Sequence, residues 1–129
     1  MIVVGFTADE FGRVALEHGI TEAKLRSTKL LVVNSTAGDS YVDAAFAAPD
    51  AVHELTSLLS ECGVEHTVEQ PVGKYAADAL LEVMSRPEAE LLVIGIRHRN
   101  PVGKLLLGSV SQQLILQCPK PVLAVKPQE

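Results

Sequence analysis

Residues 91–127, LLVIGIRHRNPVGKLLLGSVSQQLILQCPKPVLAVKP, decide the fold class. The segment begins with one apolar run, LLVIG (91–95), and ends with another, PVLAVK (121–126). Each run is almost continuously apolar, which is typical of a parallel strand that helices cover on both faces. Between them, a loop of glycines and cations leads into a short helical pattern that Pro119 ends. The segment therefore predicts a strand, a helix and a second strand of a parallel sheet.

The preceding residues repeat this alternation. MIVVGF (1–6) and KLLVVN (29–34) predict two more buried strands, and VEHTVEQ (64–70) alternates in polarity and so predicts a strand at the sheet edge. With helices between the strands, the order is β-α-β-α-β-α-β-α-β. We expect an α/β fold over residues 1–129 as one domain: a doubly wound, five-stranded parallel sheet, flavodoxin-like or Rossmann-like, with strand order 3-2-1-4-5.

Helix ends are marked by capping residues. Asp9 is the expected N-cap of the first helix, Pro49 opens the second, Gly63 ends it in a left-handed cap, and the third is expected from about Lys74 to Ser85. Small and apolar residues at helical spacing predict the sheet-facing side of the first helix: Gly12, Leu16, Gly19, Ile20 and Ala23. The one long connection, NSTAGDSYVDAAFAAPD (34–50), is expected to form a flap.

Composition narrows the classes of function. The chain of 129 residues has 47% hydrophobic and 4% aromatic residues, no Trp, and a net charge of −5. An acidic protein is repelled by nucleic acids and anionic membranes, so neither is an expected partner. No apolar run approaches the roughly 20 residues that cross a bilayer, and the opening MIVVGFTADE lacks a basic leader, so we expect a cytoplasmic protein.

Cysteine and histidine positions suggest no metal site. Cys62 and Cys118 stand far apart without metal-ligand spacing and are interpreted as reduced thiols packed in the core. Three histidines are expected to be structural or solvent-facing, because no Asp, Glu or Cys accompanies them at ligand spacing: His18, His53 and His66.

The loop at residues 95–109 is the strongest candidate for a ligand site. Open parallel sheets bind ligands at the carboxyl ends of their strands, where the strand order reverses. In the expected order this point lies between the first and fourth strands, next to the loops GFTADE (5–10) and GIRHRNPVGKLLLGS (95–109). The second loop concentrates cationic side chains and glycines that suit an anion: Arg97, Arg99, Lys104, Gly95, Gly103 and Gly108, with His98. A solvated loop face is the alternative.

The start of the last helix adds hydroxyl donors to this loop. Ser109 and Gln112 match the capping-box pattern, so Ser109 is the expected N-cap, and Ser111 follows in the first turn. The familiar phosphate motifs are absent: Leu105 follows Gly103-Lys104 where a Walker loop needs Ser or Thr, and no GxGxxG follows the first strand. No nucleophile with an adjacent base and no metal-binding carboxylate accompanies the loop.

Residues 91–127 resemble the carboxy-terminal segment of the universal stress protein family, and the resemblance extends over the chain to the IVVG opening (2–5). Members that bind ATP carry a Gly-x2-Gly-x9-Gly-(Ser/Thr) motif. This chain has Gly95, then His98 in place of the second glycine, then nine residues before Gly108-Ser109. The family's acidic residue after the first strand, which contacts adenine, aligns with Thr7.

The resemblance implies a cytoplasmic, non-catalytic stress-response regulator that binds ATP, with Mg²⁺, or AMP and hydrolyses ATP slowly at most. The apolar run PVLAVK (121–126) at a sheet edge can pair with a second copy, and similar family members form dimers through their last strands, so we expect a homodimer. An edge strand protected by Pro121, Lys126 and Pro127 is the alternative, and a further protein partner is also expected. The implied nucleotide-binding residues are Thr7, Val33, Gly95, Arg97, His98, Gly103, Gly108, Ser109, Val110 and Ser111. The alternative is a member that has lost nucleotide binding and acts as a dimeric interaction module, for which Thr7 and His98 are the evidence.

Overall fold

A computed structural model describes residues 1–34, 49–97 and 107–128 of the chain. Its strands form one five-stranded parallel sheet in the order β3-β2-β1-β4-β5, which confirms the expected topology. The strands, numbered along the chain, are β1 (Ile2–Gly5), β2 (Leu30–Val33), β3 (His66–Glu69), β4 (Leu91–Gly95) and β5 (Val122–Val125).

Four helices connect these strands: α1 (Glu10–Leu25), α2 (Pro49–Glu61), α3 (Ala76–Met84) and α4 (Ser109–Gln117). The predicted N-cap of α1 is confirmed, since the Asp9 carboxylate accepts a hydrogen bond from the Gly12 amide at 3.0 Å. Gly63 follows α2 with φ +76°, in the predicted left-handed region. The start predicted for α3 was too early, because Gly73 has φ +88° and Tyr75 is still extended.

Burial explains the pattern of the strands. The apolar side chains of β1, β2 and β4 are buried, whereas in β3 Thr67 is exposed and the other three side chains are half-buried. The predicted position of this strand at the sheet edge is confirmed. Successive side chains on a strand point to opposite faces, so the core has two halves. On one face the strands pack against α1 and α2, and on the other against α3 and α4. The cysteines are free, and Cys62 and Cys118 pack against opposite halves of this core.

The carboxyl ends of the central strands form the position expected to bind ligands. Gly5 at the end of β1 pairs with Val33 of β2 on one side and Ile94 of β4 on the other. The chain leaves β1 for the face covered by α1 and α2, and leaves β4 for the face covered by α3 and α4. In doubly wound sheets such a divergence marks the crevice where ligands bind, so the ends of β1 and β4 are the position to consider.

Several predictions fall outside the described residues. Residues 35–48 of the long connection and the middle of the cation loop, with His98, Arg99, Gly103 and Lys104, belong to this part of the chain. Within the described ranges, none of the helices is both long and apolar enough to cross a membrane.

Candidate functional site

The first turn of α1 lies directly against the carboxyl ends of β1 and β4 because two glycines permit it. A Cβ atom on Gly12 would lie 1.7 Å from the main-chain oxygen of Thr7, and one on Gly95 would lie 2.1 Å from the main-chain oxygen of Phe11. Both distances are far below any real carbon–oxygen contact, and backbone atoms cannot rotate away. The fold itself thus requires glycine at position 95, a packing reason that the loop sequence alone did not reveal.

Thr7 leaves β1 and is held on both sides by Asp9. The Asp9 amide donates to the Thr7 carbonyl at 2.9 Å. In the other direction, the Thr7 hydroxyl donates to the Asp9 carboxylate at 2.5 Å, on the oxygen that also caps the Gly12 amide. A distance of 2.5 Å is typical of a hydroxyl donating to an ionised carboxylate. The half-buried Thr7 side chain therefore has a fixed partner at the edge of the crevice.

Asn34 is a site-forming residue that sequence analysis missed. It is the buried polar side chain of the described core, with 1% exposure. Its side-chain amide donates to the Phe6 carbonyl at 2.9 Å, its side-chain oxygen accepts from Gln70 at 3.1 Å, and its main-chain amide donates to Glu69 at 2.9 Å. Asn34 thus ties together the carboxyl ends of β1, β2 and β3. The available signal was a polar residue directly after the buried run LLVV.

Val33, one of the implied nucleotide-binding residues, lies at the carboxyl end of β2 but is only 1% exposed. Its side chain belongs to the core half that packs against α3 and α4, and its carbonyl accepts from the Phe6 amide at 2.9 Å. Val33 can therefore shape the floor of the crevice but offers a ligand no free polar group in this arrangement.

The start of α4 differs from the prediction. The predicted capping box of Ser109 and Gln112 is wrong, because Gly108 is the N-cap, with φ −63° and ψ 158°. Among the described residues, no side chain caps the helix. Ser109 is already the first helical residue, because the Gln112 amide bonds to the Gly108 carbonyl at 3.0 Å. Glycine has no side chain to accept from the first amides of the helix, so these donors stay open to other acceptors.

The groups around this open helix start suit an anion. Gly108, Ser109 and Val110 are exposed and Ser111 is half-buried, so hydroxyl and amide donors lie together on one turn. Arg97, two residues after β4, is exposed and forms no ion pair with any residue that the structure describes. A helix N-terminus attracts negative charge, and a nearby guanidinium adds to that attraction.

A separate small cavity lies on the other side of α1. It has a volume of about 180 Å³ and lies between the first turn of α1 and α2, with Phe6 and Leu55 among its apolar walls and Asp9 and Arg13 at its polar rim. It does not include α4 or the end of β4, so it is distinct from the crevice. Across the described ranges, no three His, Cys, Asp or Glu side chains are grouped closely enough to hold a metal ion.

Comparison with known proteins agrees with this architecture. A family model described as the Universal stress protein family matches residues 1–126. The chain belongs to the universal stress protein family. It is 65% identical over 127 residues to a universal stress protein of Mycolicibacterium smegmatis, covering 98% of each chain.

Two solved universal stress proteins from Archaeoglobus fulgidus share the fold. The first is 30% identical with a TM-score of 0.79, and the match covers 97% of this chain and 96% of the other. The second, solved in complex with dAMP, is 24% identical with a TM-score of 0.67, and the match covers 97% of this chain and 95% of the other. The element order of the described residues places Thr7, Gly95, Arg97 and the start of α4 at the same end of the sheet, after the carboxyl ends of β1 and β4.

Proposed function

We propose that this universal stress protein is a cytoplasmic regulator that binds an adenine nucleotide, ATP with Mg²⁺ or AMP, in the crevice between β1 and β4. The observation that carries the proposal is the open start of α4. The helix begins on an exposed glycine that has no capping side chain, and within the described residues no group accepts from the first amides of the helix or from the Ser109 hydroxyl. Phosphate groups are the natural ligands of such a helix start.

The neighbouring residues support the same ligand. Arg97 adds a positive charge at the end of β4, and Thr7 offers a polar side chain at the end of β1. In our proposal the phosphates lie against Gly108, Ser109, Val110 and Ser111, and the base lies toward Thr7 and the floor at Val33. Gly95, His98 and Gly103 complete the proposed binding residues, the last two in the part of the loop that lies outside the described residues.

The dAMP complex of the Archaeoglobus fulgidus protein makes a nucleotide a reasonable ligand for this sheet architecture. At 24% identity that likeness concerns the fold, so the ligand is carried to this chain as a hypothesis. We propose binding without efficient catalysis, in which an occupied crevice changes a surface that a protein partner recognises during stress. A phosphate-release assay with Mg²⁺-ATP tests this, and rapid turnover that depends on Ser109 would contradict it.

The direct test is calorimetric titration of nucleotide-free protein with Mg²⁺-ATP and with AMP. We expect a dissociation constant near 1 μM, about −8 kcal/mol, and a higher melting temperature in the presence of nucleotide. Ser109→Ala is the matched variant, because this exposed hydroxyl does not cap the helix and its removal leaves the fold intact. It should weaken binding without lowering the melting temperature of the free protein. No heat and no stabilisation at millimolar nucleotide would contradict the proposal.

The alternative function is a dimeric interaction module without nucleotide. One observation favours a homodimer in either case: β5 pairs with β4 on one side and is the last strand of the described sheet. The preceding helix also exposes Ile115 and Leu116, at 42% and 76%. An unpaired edge strand is a template for a second strand, and an identical copy of the chain is the simplest partner.

The dimer proposal can be tested at the outer edge of β5. The Val125 carbonyl accepts from the Ile96 amide at 2.7 Å and so faces β4. Neighbouring residues of a strand bond in opposite directions, so the main-chain groups of Ala124 face outward. Ala124→Pro should therefore remove an outward donor, keep the β4–β5 ladder and give monomers by light scattering. A variant that stays dimeric would contradict pairing through this edge.

A further inference from the structure

The small cavity between α1 and α2 has room for an apolar group of the size of one side chain. Its volume is about 180 Å³, and an apolar cavity of about 150 Å³ is enough to hold benzene. Two of its apolar walls are deeply buried, Leu16 at 3% and Leu55 at 2% exposure. Phe6 is half-buried, and Leu58 is 47% exposed. Packed interiors leave few voids of this size, so the cavity is a candidate for a second ligand site.

Three charged side chains line the same cavity: Asp9 and Arg13 from the start of α1, and Glu54 from α2. All three are exposed, and none of them forms an ion pair within the described ranges. One oxygen of the Asp9 carboxylate, Oδ1, accepts from Thr7 and from the Gly12 amide, which leaves the lone pairs of Oδ2 for a further donor. One guanidinium and two carboxylates thus surround an apolar pocket.

The two helices hold these groups in fixed relation to the apolar walls. On α1, the Arg13 amide bonds to the Asp9 carbonyl at 3.1 Å, so the two side chains lie one turn apart, and Leu16 follows after about another turn. On α2, Glu54 and Leu58 are also one turn apart. Both helices pack against the same face of the sheet, so the charges and the apolar walls belong to one rigid site.

We propose that this cavity binds a free apolar α-amino acid. A ligand with only an ammonium group would suit Asp9 and Glu54 but would be repelled by Arg13, and a ligand with only a carboxylate would meet the opposite conflict. A zwitterion satisfies all three charges, because its carboxylate can bond to the guanidinium and its ammonium group to the two carboxylates. Its apolar side chain then fills the cavity and leaves water. The proposal does not depend on nucleotide binding.

The test is calorimetric titration with L-leucine and with three compounds that each lack one of its groups. The first, 4-methylpentanoate, lacks the ammonium group, 3-methylbutylamine lacks the carboxylate, and glycine lacks the apolar side chain. We expect leucine to bind with a dissociation constant of about 1 mM or lower, as a ligand of this size allows. Each of the other compounds should bind at least about tenfold more weakly. The methyl NMR signals of Leu55 and Leu58 should shift with leucine.

Two variants exchange the preference for charge while leaving the fold intact. Arg13→Gln should weaken leucine binding about tenfold and strengthen binding of 3-methylbutylamine, because the repulsion of its ammonium group is removed. Glu54→Gln should also weaken leucine binding, and it should strengthen binding of 4-methylpentanoate. Glu61→Gln is the matched control, since Glu61 is an exposed carboxylate of α2 that does not line the cavity. All three variants should keep the wild-type melting temperature.

The proposal is wrong if leucine gives neither heat nor a rise in melting temperature at about 10 mM. It is also wrong if glycine binds as tightly as leucine, or if Arg13→Gln and Glu54→Gln bind leucine as the wild type does. None of these results bears on the proposed nucleotide site, which the titrations with Mg²⁺-ATP and AMP test separately.

Discussion

The two ends of the sheet are built differently. At the amino ends of the strands, polar groups bind one another: the Met1 α-amino group donates to the Glu88 carbonyl at 2.8 Å and pairs with the Glu90 carboxylate, which also accepts from Thr28 at 3.1 Å. At the carboxyl ends, two glycines bring α1 onto the strands, and α4 begins without a side-chain cap. At the amino ends of the strands, these donors and acceptors are paired with each other. At the carboxyl ends, the first amides of α4 have no partner among the described residues.

This difference between the two ends indicates the location of a ligand site better than the size of the surface depressions does. A depression of about 840 Å³ lies at the amino ends, with Lys24, Lys29, Glu65 and Glu88 among its lining residues. Its charges have both signs, and parallel sheets bind ligands at the opposite end. We therefore keep the proposed site at the carboxyl ends, where α4 begins on a glycine and Arg97 is exposed, and we regard the larger depression as a solvated groove.

The largest expected effect on stability comes from substituting the two glycines that bring α1 against the carboxyl ends of the strands. In Gly12→Ala or Gly95→Ala, the new Cβ would meet main-chain atoms at 1.7 or 2.1 Å, so α1 must move away from the strands. We expect the free energy of unfolding to fall by about 3 kcal/mol, at the upper end of typical overpacking. Denaturant unfolding measures this loss.

Gly108→Ala is the matched control for those variants. A Cβ on Gly108 meets no described atom within 4 Å, and its φ of −63° suits any residue. We expect a change below about 1 kcal/mol, mostly from a poorer N-cap. If Gly12→Ala were as stable as Gly108→Ala, the close approach of α1 to Thr7 would be wrong.

The smallest expected effect on stability comes from the ion pair of Glu90 at the amino ends of the strands. The bond from the Met1 α-amino group, followed by the bond from Thr28, lowers the pKa of Glu90 below its ordinary value of 4.5. Because the folded protein favours the ionised form, this contribution is complete above pH 4.5 and is lost as the pH falls through the lowered pKa. The carboxylate is 44% exposed, so Glu90→Gln should cost less than about 1 kcal/mol at pH 7.

Thermal unfolding at a series of pH values checks this prediction. The difference in melting temperature between wild type and Glu90→Gln should shrink as the pH falls below 4. Glu88→Gln is the control, because Glu88 bonds the Met1 amino group through its main-chain carbonyl and not through its carboxylate. This variant should differ less from the wild type at pH 7. A Glu90→Gln penalty that grows in acid would contradict the assigned ion pair.

The topology was predictable because the signals for it are local and repeated. Continuous apolar runs, a single alternating run and helical spacing each follow from neighbours in sequence, and together they predicted five strands and their order. The N-cap at Asp9 and the left-handed turn at Gly63 were predictable for the same reason.

The details of the site were less predictable because they depend on contacts between distant segments. Gly95 lies against Phe11, and Asn34 joins Phe6 to Gln70, pairs that no local pattern reveals. The error at Ser109 is a shift of one residue: the helix begins earlier than the capping-box pattern indicated, so a glycine takes the capping position. That small shift is what leaves the helix amides open.

The most direct test of the account places a negative charge at this capping position. In Gly108→Asp, the carboxylate can cap α4 and stabilise it by a few tenths to about 1 kcal/mol, while it occupies the amides and repels phosphate. Gly108→Asn, which caps without charge, is the matched control. We predict that Gly108→Asp is at least as stable as the wild type and loses calorimetric binding of Mg²⁺-ATP and AMP, with a weaker loss in Gly108→Asn. Wild-type nucleotide affinity in a folded Gly108→Asp protein would contradict a phosphate site at the start of α4.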